Sequence, residues 1–144
     1  MATVYTMKNC KIELSTNNST WTDISTEANS VAMSGFDLET ESTRVFGEVK
    51  QTQSVGGYSI GTITIRSMYA ENTTGAWGLA QSAFANRTAL YVRWSPRGGS
   101  TGQYRYTSDA GYVKSPVWPT GEDGAAAIMP EIVLETPFVT QTTI

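Results

Sequence analysis

Apolar residues recur at every second position through most of the chain, the pattern of strands with one buried face. Ile12 and Leu14 alternate with Lys11 and Glu13, and the turn Asn17-Asn18-Ser19 leads into Thr20 to Ile24 around Trp21, predicting an opening hairpin. Between Ser30 and Thr40 the apolar set changes parity, from Val31 and Met33 to Phe36 and Leu38. The Ser34-Gly35 step at the change predicts a bulge or a strand that bends out of one sheet into another. Thr43 to Val49 reads as a further strand, with Val45 and Val49 on one face and Phe46 on the other. Ser59 to Tyr69 reads as its long partner, carrying Ile63, Ile65 and Tyr69 on one side. The connection Lys50-Gln51-Thr52-Gln53-Ser54-Val55-Gly56-Gly57-Tyr58 is polar and longer than a minimal hairpin needs, so it is expected to be a functional loop.

The period changes once. From Gly75 to Asn86 the residues Ala76, Ala80, Ala83 and Phe84, with Trp77 alongside, form a stripe at helical spacing, with Thr73 or Thr74 as the expected N-cap. Alternation returns in Leu90, Val92 and Trp94. The turn Pro96 to Gly102 then joins that strand to a second one containing Tyr104 and Tyr106. Tyr112 to Lys114 predicts a short strand, Pro116 to Gly124 a loop, and Glu131 to Thr136 a strand with Ile132 and Leu134 inward. Pro137 to Ile144 is uncharged and extended in propensity. With neither an internal repeat nor a linker, residues 1–144 read as a single all-β domain of two packed antiparallel sheets, sandwich-like or barrel-like, with one flanking helix.

Composition narrows what such a domain can do. The chain has no His and a single Cys, which excludes His-based metal sites, Ser-His-Asp triads, Cys-His dyads and an internal disulfide. A formal charge of −3 and a pI near 4.9 lack the basic footprint of a nucleic-acid binder. Residues 1–14 contain no apolar core of signal-peptide length, and no later stretch approaches a membrane span. Ser and Thr contribute 35 of the 144 residues while only 16% are charged, an uncharged surface suited to being covered.

Candidate chemistry is sparse. Asp37, Glu39 and Glu41 share one strand parity, but with no aromatic platform beside them they read as an acidic surface row and not as a catalytic pair. Gly98-Gly99 joins two strands, which makes it a hairpin turn and not a phosphate loop. Trp77 and Trp94 fall on core faces; Trp118, between Val117 and Pro119, is the exposed one. The sequons at Asn18, Asn72 and Asn86 are what chance gives in a Ser/Thr-rich chain. No catalytic residue, cofactor or metal is expected, and the chain reads as no enzyme.

The order of parts resembles the major tail tube proteins of long-tailed, siphovirus-type bacteriophages. The local phrases are Trp21-Thr22-Asp23-Ile24-Ser25, Asn29-Ser30-Val31, the helix followed by Ala89 to Gly99, and Tyr104-Arg105-Tyr106-Thr107. That resemblance implies hexameric rings whose inner sheets join into one β-barrel, stacked into a tube through which the genome leaves. It implies Lys50 to Tyr58 as an inter-ring loop, Pro137, Phe138 and Val139 as the start of an arm against a neighbouring subunit, and Asp37, Glu39 and Glu41 as candidates to face the lumen. Partners would be further copies of the chain and the tape measure, terminator and distal tail proteins, in a virion made in a bacterial cytoplasm, with no membrane involved. Double-stranded DNA would pass without specific binding, since six copies carry about −18 and a lumen without basic patches cannot trap DNA by releasing its counterions. The alternatives are a head decoration or tail terminator protein, or a carbohydrate-binding adhesin sandwich using Trp118, Tyr104 and Tyr106.

Overall fold

The structure, a computed structural model, describes residues 3–7, 9–47, 49–124 and 128–144. Among these lie eleven strands and one helix. The opening hairpin forms as expected, β1 (Lys11–Ser15) against the short β2 (Thr22–Asp23), with Leu14 opposite Thr22. Strand β3 (Ala28–Ser34) follows, then β4 (Leu38–Thr43), β5 (Thr52–Tyr58) and β6 (Gly61–Ser67). Helix α1 (Ala76–Asn86) precedes β7 (Tyr91–Ser95), β8 (Tyr104–Ser108), β9 (Tyr112–Val113), β10 (Glu131–Thr136) and β11 (Val139–Thr143).

These strands make a five-stranded antiparallel sheet in the order β11-β8-β7-β1-β2 and a four-stranded one in the order β3-β6-β10-β9. A separate two-stranded ribbon is formed by β4 and β5. The core is the meeting of the alternating inward rows. In the larger sheet Ile12 lies opposite Trp94 and Leu14 opposite Val92; in the smaller, Ile63 lies opposite Leu134 and Ile65 opposite Ile132. All eight are buried in one cluster. Each such side chain contributes about 1.5–3 kcal/mol on leaving water, so the period-two pattern carries most of the driving force for stacking the sheets.

The helix closes one side of this core through Ala76, Trp77, Ala80 and Ala83. Phe84 is only half-buried, and it meets Trp118 edge-on with ring centroids 6.1 Å apart. Neither Thr73 nor Thr74 caps the helix: the N-cap is Gly75, without a side-chain cap bond of its own. The free amide of Ala76 instead donates to Glu27 Oε2 at 2.7 Å, a carboxylate brought from 49 residues away. An anion at a helix N-terminus satisfies the amide and opposes the positive end of the dipole. The cap is tertiary, which is why local sequence does not contain it.

On the outward face of the larger sheet, Glu13 is 7% exposed. Arg93 neutralises it from the paired position on β7, Nε donating to Oε1 at 2.9 Å and Nη2 to Oε2 at 3.1 Å, while the ring of Trp21 covers the guanidinium at 4.3 Å. The forked geometry and the aromatic lid are what allow a carboxylate to stay out of water there.

Candidate assembly surface

The polar segment expected to be a loop is a strand. Residues Thr52–Tyr58 pair with β4 from Leu38 opposite Tyr58 to Thr43 opposite Thr52, so only Lys50 and Gln51 of that segment remain outside the ribbon. The strand expected at Thr43 to Val49 is correspondingly absent: Thr43 ends β4, Arg44 and Val45 are irregular, Phe46 and Gly47 turn, Gly47 with φ +88°, and Val49 and Lys50 lie in a bend, while Glu48 lies outside the described residues. The physical reason is that hydrophobic alternation reports a half-buried strand, and this ribbon has no buried half. Every residue of β4 and β5 is exposed. Paired strands that are polar on both faces leave no period-two signal. The Gly56-Gly57 doublet marks a bulge, since one residue, Glu39, stands opposite both of them.

Where the ribbon leaves the four-stranded sheet the chain makes an elbow. Gly35 takes φ +80° and Phe36 φ +59°, so the parity change in the sequence is a strand passing from one sheet to another. The Phe36 ring lies flat on Gly61: a Cβ there would sit 2.3–2.5 Å from three of its ring atoms. Two bonds brace the corner, from Asp37 N to Ser59 Oγ at 2.9 Å and from Ser59 N to Asp37 O at 2.8 Å.

The far end of the ribbon is apolar. Val45 and Val49 are largely exposed and Phe46 fully so, with Leu38, Val55 and Tyr58 exposed along the shaft. Asp37, Glu39 and Glu41 are exposed as well; Glu39 and Glu41 occupy one face of β4, with Asp37 just before the strand. The C-terminal segment is extended, but it is not a free arm. Val139–Thr143 pairs with β8 of its own chain, Thr143 opposite Tyr104, as the edge strand of the larger sheet. Val139, on the half-buried side, packs against the core. The two segments expected to contact neighbours meet at their roots, the rings of Tyr58 and Phe138 lying 4.9 Å apart, with Pro137 exposed beside them.

No protein-family model matches the chain, and neither does any curated protein sequence. Solved structures do match. A chain of the anti-feeding prophage baseplate, six-fold symmetrised, superposes with a TM-score of 0.73 at 12% identity, covering 99% of this chain and 98% of that one. A chain of the sheath/tube terminator of the PVC extracellular contractile injection system gives 0.69 at 17% identity, covering 99% and 97%. A chain of the tail of an empty GTA particle, with C6 symmetry, gives 0.66 at 12%, covering 94% and 96%. The fold is shared with components of tail-like injection machines. At these identities the likeness is one of architecture, over essentially the whole of both chains.

Trp118 is half exposed, as its setting between Val117 and Pro119 suggested, and it is braced edge-on by Trp77 at 5.5 Å. Trp77 and Trp94 are buried. Tyr104 is exposed, but Tyr106 stacks on Trp94 with centroids 5.7 Å apart, which removes it as an open platform for a sugar ring. No helix among the described residues is long and apolar enough to cross a membrane. Sequence reasoning placed the bend at Ser34-Gly35 but missed the exposed ribbon it leads into. The available signal was Gly56, Gly57 and Gly61 beside a segment whose apolar residues, Leu38, Val55 and Tyr58 on the shaft and Val45, Phe46 and Val49 at the tip, keep no sustained alternation.

Proposed function

We propose that this chain is the subunit of a phage-type tail tube, a virion structural protein that forms hexameric rings and stacks them into a conduit for the genome. The observation that supports this best is the exposed ribbon. A two-stranded sheet with its strands and apolar tip in water is marginal by itself, and its exposed rows of backbone groups would be an aggregation hazard in a solitary monomer. In an assembly both are covered. The shared fold with tail-like machines supports the same reading.

In this reading the four-stranded sheet, with β3 on one edge and the short β9 on the other, supplies one segment of the barrel. Six copies closing edge to edge give a wall of about 24 strands, a heterologous contact that closes in the plane and repeats along the axis. The ribbon then reaches along the axis to the next ring, and Lys50 to Tyr58 with Pro137 to Val139 form inter-subunit contacts. Glu39 and Glu41, with Asp37 at the root, face the channel and repel the phosphates of passing DNA. A tail terminator is the second reading, supported by a neighbour from a terminator structure. Electron microscopy of the purified protein decides between them: tubes of stacked six-fold rings are expected, isolated rings indicate the terminator, and a persistent monomer overturns both.

A further inference from the structure

Trp118 opens onto a cleft of about 540 Å³ between the first turns of α1, the segment joining β6 to α1 and the loop after β9. Its volume is in the range of small-molecule sites. Trp118 and Tyr69 are the large exposed rings of the lining. Trp118 is nevertheless fixed in place. Backbone bonds of 2.9 and 3.2 Å between Val117 and Glu131 tie the preceding residue to the start of β10, and Trp77 and Phe84 brace the indole edge-on.

The wall formed by the β6–α1 connection is held as well. Asn72 Nδ2 donates at 3.4 Å to the Glu27 carboxylate, whose other oxygen caps Ala76. Gly78 lies inside the helix, where glycine costs about 1 kcal/mol relative to alanine. A Cβ there would collide with the Asn72 carbonyl, so the helix gives up stability and the Asn72 segment lies against it. The cleft is therefore built before any ligand arrives, which lowers the ordering cost of binding.

Its polar lining is mostly neutral: the amides of Asn72 and Gln81, the hydroxyls of Thr73 and Ser82, and one charged residue, Glu71. Gln81 follows Trp77 by four residues, on the same helix face, and supplies both donors and an acceptor. A fixed, half-exposed indole beside amides and hydroxyls matches a sugar ring, whose C–H face stacks on the aromatic plane while its hydroxyls donate and accept. A purely apolar ligand would leave the amides unpaired, and Glu71 repels an anionic one.

We propose that this cleft binds a neutral saccharide, one pyranose ring lying on Trp118 and its hydroxyls bonding Gln81 and Thr73. The site lies within one subunit and stands apart from the tube reading. Isothermal titration calorimetry of the full chain with maltohexaose, cellohexaose and chitohexaose should show saturable binding of at least one of them. Trp118→Ala should weaken that binding by about tenfold or more, as the loss of a stacked ring predicts, and Trp118→Phe should restore most of it. Gln81→Ala leaves the aromatic bracing intact and should weaken binding several-fold at an unchanged melting temperature, which separates loss of the site from loss of the fold. Choline, which also favours aromatic surface beside a carboxylate, is the control and should not displace the sugar. Absence of binding by all three oligosaccharides, wild-type affinity in either alanine variant, or displacement by choline overturns the assignment.

Discussion

Gly61→Ala tests whether the elbow sets the direction of the ribbon. The added methyl would lie 2.3, 2.4 and 2.5 Å from Cδ2, Cε2 and Cγ of Phe36, about an ångström inside contact distance. The ring cannot simply swing aside, because Phe36 sits at φ +59° directly after Gly35 at φ +80°, and the bonds between Asp37 and Ser59 fix the next turn of chain. Overpacking of this kind costs about 1–3 kcal/mol. Against a total stability of roughly 5–15 kcal/mol the subunit stays folded, with a melting temperature lowered by several degrees. The ribbon, however, must leave the sheet at a different angle, so tube growth is expected to fall far more than stability. Phe36→Ala in the Gly61→Ala background removes the clashing ring, so the double variant should recover about 1–2 kcal/mol relative to the sum of the singles. Thermal melts of the four proteins supply the cycle, and electron microscopy supplies growth. Strictly additive melting effects, or normal tubes from Gly61→Ala, would refute the elbow.

Two further outcomes follow from the charged groups. Arg93→Ala takes the cation from Glu13, whose side chain is 9% exposed in the intact pair, and should cost about 3 kcal/mol in a denaturant titration; adding Glu13→Gln should return part of it, and an unchanged midpoint for Arg93→Ala would show the pair to be incidental. Asp23 is subject to partial desolvation, which raises its pKa, but hydrogen bonds from Ser25 Oγ and the Ser25 amide, with Lys11 nearby, bring it below its ordinary 3.8. Its stabilisation is therefore complete above pH 3.8 and lost as pH falls through the lower folded value. Asp23→Asn should flatten the melting-temperature profile below about pH 4, and parallel profiles for the two proteins would count against the bonded turn.

The sandwich is legible in the alternation alone. Ile12, Leu14, Val92, Trp94, Ile63, Ile65, Ile132 and Leu134 announce their strands because a half-buried sheet repeats its environment every two residues, and burial is local information once the period is known. The helix is legible in the same way, at its own period. The features that bear on assembly emerge only from the fold in space. The ribbon of β4 and β5 is solvated on both faces within one subunit, so no burial pattern is written into it, and its apolar tip reads like a strand until the turn at Gly47 is seen. Glu27 capping Ala76, Arg93 neutralising Glu13 and Phe36 lying on Gly61 join residues 49, 80 and 25 positions apart. Pro137 to Ile144 is extended by propensity, but its pairing with β8 of the same chain depends on which edge the fold leaves open beside it. Such pairings are fixed by the meeting of sheets in space, and a single sequence carries no trace of a partner chosen that way.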